Sequence, residues 1–165
     1  MIIIRYIIMF IVLVLTQVLV LNQVQFSGYI NPYIYVLFIL LLPLNSPRYI
    51  VLLLAFITGL SIDIFSNSLG IHAFATVIIG YMRAPVIGLI TSREEDQSNY
   101  PGLAQNKFSW FLKYTSIMVF IHHFALFYVE VFTFSNFFGT LFRAFLSSLF
   151  SIFIIVLSQF IIFRK

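Results

Sequence analysis

The stretch IIIRYIIMFIVLVLTQVLVL, Ile2 to Leu21, holds one charge, Arg5, in twenty residues. A helix needs about 20 mostly apolar residues to cross the hydrocarbon of a bilayer, and this stretch supplies them. A signal peptide has an apolar region of about 7–15 residues followed by a small-x-small cleavage site. Here the apolar run is longer and ends in Asn22-Gln-Val-Gln25 without such a site, so it reads as a retained first helix.

The rest of the 165 residues has the same character: 62% are hydrophobic, 8% are charged and the mean hydropathy is +1.08. Soluble domains carry about 25% charged residues, and a fold in water leaves roughly 30% of its chain surface exposed. So little charge does not cover such a surface, whereas lipid removes the need. The whole chain, 1–165, reads as a single transmembrane domain of the all-α class. Cysteine is absent, which excludes disulfides and thiol chemistry. The net charge of +4 comes from basic residues scattered at helix ends, a topology signal and not a nucleic-acid footprint.

Six spans follow: Ile2–Leu21, Tyr29–Leu44, Tyr49–Phe65, Leu69–Ile90, Trp110–Phe132 and Phe138–Phe163. The second is short, with Pro32 and Pro43 near its ends, and it is expected as a helix because Pro is tolerated in a first turn and stops a last one. Spans two and three also admit a reading as one re-entrant hairpin. Pro85 is expected to kink or end the fourth. Residues 91–109 form the one long polar loop, and its run Arg93-Glu94-Glu95-Asp96 reads as a solvated linker or as a docking site for a cytoplasmic partner.

Basic residues collect on cytoplasmic loops. With the N-terminus inside, Arg5, Arg48, Arg83, Arg93, Lys107, Lys113, Arg164 and Lys165 fall inside, and only Arg143 falls outside. Merging or dropping a span moves later loops to the other side and destroys this bias. Six helices with both termini in the cytoplasm are therefore expected. Tyr and Trp at several span ends suit the interfacial belt.

A few polar residues do not belong on a lipid-facing helix. Asp63 lies near the outer end of the third span, with Gly59 one turn before it. An intramembrane carboxylate has to be paired, wet or protonated, so Asp63 reads either as a polar anchor for the turn into the fourth span, accepting hydrogen bonds from a neighbouring helix start, or as a ligand or proton site. His122 and His123 fall in the middle of the fifth span. Adjacent helical side chains diverge by about 100° and no HExxH pattern occurs, so interhelical hydrogen bonding competes here with a metal or proton site, and no metal or other cofactor is expected. Glu130 and Arg143 flank the outer turn between spans five and six at similar depth, which suits an ion pair. The sequence has no Gly-x-Ser-x-Gly elbow and no phosphate-binding glycine loop, so no enzymatic activity is expected.

The stretch from Gly59 to Arg83, GLSIDIFSNSLGIHAFATVIIGYMR, resembles the rod shape-determining protein MreD family. Gly59, Asp63, Gly70, Ala73, Tyr81 and Arg83 stand where that family has a glycine, an aspartate four on, a glycine after a polar turn, and a small-residue helix ending in Tyr and a basic residue. The specific match spans about 25–30 residues, and length and topology agree across the chain. The resemblance implies a non-catalytic scaffold of the bacterial elongation complex in the inner membrane, acting in rod shape and lateral peptidoglycan synthesis. It implies an MreC-like bitopic protein as partner, with an MreB-like filament, a glycosyltransferase and a penicillin-binding protein in the wider complex. It assigns Gly59, Asp63, Gly70, Tyr81 and Arg83 to structure and partner assembly. The family also resembles the six-helix substrate-binding subunits of energy-coupling-factor transporters, which makes a vitamin-like small-molecule binder the alternative. The cytoplasmic Lys and Arg residues would face a filament or anionic lipid.

Overall fold

The computed structural model describes residues 2–23, 30–91, 99–132 and 136–162. The described residues form six α-helices: α1 (Ile2–Leu19), α2 (Val36–Leu40), α3 (Arg48–Ser66), α4 (Ile71–Ile90), α5 (Phe108–Val131) and α6 (Phe137–Ile162). Five of them are long and apolar enough to cross a membrane. Their 18 to 26 residues give about 27–39 Å at 1.5 Å per residue, against a hydrocarbon core of about 30 Å. The chain is a membrane helical bundle in which α3 packs on α1 and α4, α4 on α5, and α5 on α6.

The long helices turn their bulk outward. Ile3, Ile4, Ile7, Ile8 and Ile11 of α1 are exposed, as are Phe138, Phe142, Phe145 and Phe153 of α6. The buried face of α6 is instead Thr140, Ala144, Ser147, Ser151, Ile155 and Gln159, a small and polar stripe at helical spacing. Apolar side chains gain little by leaving lipid for protein, so helices associate here through close packing and interhelical hydrogen bonds, which small and polar residues supply.

The second span differs from expectation. Residues 31–34 are not helical, and the helix that follows, α2, is five residues long. This segment lies in the middle of the bundle, where α2 touches α1, α3, α4 and α5, and residues 32–40 are buried throughout. It runs antiparallel to α1, since Gln17 bonds Pro32 and Ile34 at one end and Tyr6 bonds Leu41 at the other. Among the described residues the bundle thus consists of five long helices and this central segment, which lies alongside α1. Pro32 pushes Asn31 out of the helical region, and the N–H groups of Tyr33 and Ile34 are held in the extended segment by Ser151 and Gln17. Non-helical backbone at membrane depth is tolerated where protein encloses it, and that is its situation here. Because α3 is a complete helix of 19 residues, it is not half of a re-entrant hairpin.

Pro85 lies within α4 without ending it, as the helix continues to Ile90. The polar loop is shorter at its far end than 91–109, since α5 begins at Phe108. Arg93, Glu94, Glu95, Asp96, Arg164 and Lys165 lie outside the described residues.

Candidate functional site

The α3–α4 corner is built on Asp63. Asn67 (φ 53°) and Gly70 (φ 84°) adopt left-handed conformations that reverse the chain between the helices. Gly70 precedes the first residue of α4 and has no side chain to cap it. Asp63 supplies the missing acceptor from the neighbouring helix. Its Oδ1 accepts the backbone N–H of His72 at 3.1 Å and its Oδ2 that of Ala73 at 2.8 Å. These are two of the four N–H groups a helix start leaves unpaired, and a carboxylate there also meets the positive end of the helix dipole. Ser68 Oγ donates to Oδ1 at 2.6 Å and His72 Nδ1 lies 3.0 Å from it. A carboxylate accepts only, so the proton of the neutral imidazole is assigned to Nδ1. Asp63 is thus buried, 3% exposed, with four donors around it.

Gly59 explains how α4 comes so near. A Cβ at this position would lie 2.3 Å from Thr76 Oγ1, 2.4 Å from Ala73 Cα and 2.5 Å from the His72 carbonyl. Two of these are backbone atoms, so only glycine fits. Gly80 repeats the contact more loosely, one Cβ away from Ala55 at 3.1 Å.

Residues 31–34 have no neighbouring strand among the described residues, and side chains of two helices stand in for one. On one edge, Gln17 of α1 donates through Nε2 to the Pro32 carbonyl at 3.1 Å and accepts the Ile34 N–H through Oε1 at 2.9 Å. On the other, Ser147 and Ser151 of α6 accept the N–H groups of Asn31 (3.1 Å) and Tyr33 (2.8 Å). The spacing fits: four helical residues rise about 6.0 Å and two extended residues about 6.6 Å. Past α2 the carbonyls are capped in turn. Tyr114 donates to Leu40 at 3.3 Å and Tyr6 to Leu41 at 3.3 Å. Arg83 donates to Leu42, and to Pro43 at 3.2 Å.

Arg83 is therefore no loop cation. It lies within α4, is 4% exposed, and also bonds Tyr114 Oη at 3.2 Å. A guanidinium presents five donors in a fixed fork, which suits several carbonyls at a helix end. Tyr81, by contrast, points away from the corner and is exposed.

All three histidines of the chain surround Tyr33. Ring centroids lie 5.5 Å away for His72, 5.8 Å for His122 and 5.2 Å for His123. His122 Nε2 bonds Tyr35 Oη at 2.8 Å, and its Nδ1 is buried without a partner among the described residues. His123 Nδ1 donates to the Val119 carbonyl at 2.8 Å, so its Nε2 accepts from Ser151 Oγ at 2.9 Å. Among the described residues no group of three or more His, Asp or Glu side chains is arranged to hold a metal.

A cavity of about 460 Å³ opens at the end of the bundle that carries the α3–α4 corner. Tyr33, Ser68, His72, Glu130 and Arg143 line it. Arg143 Nη1 lies 3.2 Å from Glu130 Oε2, both partly exposed, and its guanidinium stacks 4.4 Å over the Phe127 ring. With its side-chain oxygen turned toward Arg143, Asn31 accepts from Nη2 at 2.9 Å. The structure thus joins Gly59, Asp63 and Gly70 in one corner, and Glu130 with Arg143 in one pair. It places His122 and His123 in the core and Arg83 nearer the opposite end. Comparison with family models, with curated proteins and with solved structures returned no match.

Sequence reasoning did not single out Gln17, Ser147, Ser151 or His72. Gln17 had a signal, being an amide deep within an apolar run. So did the Ser147/Ser151 pair, one turn apart on a helix otherwise rich in Phe.

Proposed function

We propose that the chain is an MreD-like, non-catalytic scaffold of the bacterial elongation complex, seated in the inner membrane with both termini in the cytoplasm. In this reading it acts in rod shape and lateral peptidoglycan synthesis by holding an MreC-like bitopic protein. An MreB-like filament, the elongation glycosyltransferase and a penicillin-binding protein are its further partners. The observation that carries the reading is the use made of Asp63: with four donors on it, the carboxylate at the centre of the MreD-like stretch joins two helices into one rigid face. The orientation is supported by the distribution of cations, since Arg5, Arg48 and Lys107 belong to one end of the bundle and Arg143 to the other, already paired with Glu130. Co-expression with an MreC-like protein and affinity purification in mild detergent tests the proposal. The two should co-purify, and Asp63→Ala should reduce the yield of complex more than the yield of the chain itself. Recovery of the chain without any elongation-complex protein refutes the reading.

A second reading, a small-molecule-binding subunit of an energy-coupling-factor-type transporter, is favoured by the cavity beside His72 and Glu130. It requires co-purification of transporter ATPases in the same experiment.

A further inference from the structure

The cavity at the Asp63 end has features that neither holding a partner nor packing helices calls for. Its volume of about 460 Å³ falls within the range of about 300–1,000 Å³ found for small-molecule sites. Its wall combines an ion pair with aromatic and aliphatic surface, including Phe65, Tyr33 and Leu126. Polar and apolar groups share this wall about equally.

Three groups define what the cavity accepts. Arg143 and Glu130 give it one positive and one negative charge side by side. A ligand carrying a single net charge leaves one of them facing the wrong partner, while a zwitterion complements both. The third group is His72, 8% exposed. Its Nδ1 is engaged with Asp63 and Ser68, which leaves Nε2 as an acceptor. An acceptor on a ring in the cavity wall suits an O–H or N–H donor.

The geometry points to a site for a small zwitterion with an aromatic body and a terminal hydroxyl, the build of a hydroxylated aromatic amino acid. Its ammonium pairs with Glu130, its carboxylate with Arg143, its ring packs beside Phe65 and Tyr33, and its hydroxyl donates to His72 Nε2. This goes beyond the scaffold reading and is compatible with either role above, because it concerns occupancy of the cavity and not the partner purified with the chain.

The test uses the full-length chain in detergent and four probes: L-tyrosine, and the three compounds that each lack one of its groups. These are L-phenylalanine without the hydroxyl, tyramine without the carboxylate and 4-hydroxyphenylpropionate without the ammonium. Binding is read by calorimetry on the unsubstituted protein, so no variant has to fold. L-Tyrosine should bind, and each deletion should weaken binding by about tenfold or more, the scale of one hydrogen bond to a charged group. In Glu130→Gln, at a partly exposed position, 4-hydroxyphenylpropionate should bind as well as L-tyrosine. Absence of L-tyrosine binding overturns the inference, as does equal binding of all four probes. Equal binding of L-tyrosine and L-phenylalanine alone removes His72 from the site and overturns the assignment of the hydroxyl. None of these outcomes bears on co-purification with an MreC-like protein.

Discussion

Gln17 accepts the backbone N–H of Ile34 at 2.9 Å while donating to the carbonyl two residues earlier. A single side-chain amide thereby replaces a whole residue of neighbouring strand in the middle of a membrane bundle. Replacing it with leucine, which keeps the bulk, leaves a buried donor and acceptor unmet. Each such group costs about 1–3 kcal/mol, so Gln17→Leu should lower stability by about 2–6 kcal/mol in a reversible detergent-unfolding titration. A loss below about 1 kcal/mol would show that the segment finds other partners.

The serines of α6 provide an internal control. Ser151 serves both Tyr33 N–H and His123, whereas the similarly buried Ser148 bonds, among the described residues, only the Ala144 carbonyl of its own helix. Ser151→Ala is expected to cost about 1–3 kcal/mol, and Ser148→Ala much less. Equal losses in the same unfolding assay would contradict the strand-like role of Ser151.

Two glycines, Gly59 of α3 and Gly88 of α4, should respond in opposite ways. Gly59→Ala drives a methyl group into backbone atoms at 2.4–2.5 Å and should separate the helices, with a loss of about 1–3 kcal/mol or more. Gly88 of α4 has nothing within 4 Å of a new Cβ, and alanine there should be neutral or stabilising by up to about 1 kcal/mol. Melting temperatures of the two purified variants check the contrast, and a harmless Gly59→Ala would sink it.

Arg83 separates charge from geometry. If it served only as a positive topology signal, lysine would replace it fully. Lysine does not reproduce the planar fork that reaches Leu42, Pro43 and Tyr114 together. Arg83→Lys should therefore leave cysteine-labelling topology unchanged yet lower thermal stability measurably. Unchanged stability would return Arg83 to the role of a plain topology signal.

How much of this was legible depends on which force shaped each part. The five long helices follow from hydropathy, because in lipid the apolar length of a segment is itself the structural constraint. The Asp63 corner was also readable in outline, since an intramembrane carboxylate beside two glycines has few inexpensive environments. The segment from Asn31 to Leu44 was not. Its composition, with Tyr33, Ile34, Tyr35 and Val36, is as apolar as a spanning helix, and only Pro32 hinted at a break. Whether such a segment coils depends on whether distant side chains meet its backbone, and Gln17 and Ser151 are 17 and 118 residues from their partners. The contacts of Arg83 were hidden for a related reason: near a helix end, a basic residue that snorkels to water and one that caps a buried carbonyl have the same sequence signature.

The central segment also sets an order of assembly. The donors at residues 31 and 33 are made 116 and 118 residues before the serines that receive them. During synthesis α1 offers Gln17 to one edge at once, while the other edge waits for α6. A ribosome-bound chain truncated before α6 holds the central segment by one side only. The helix α6 is thus a latch, and the bundle closes around its own core only once α6 has been made.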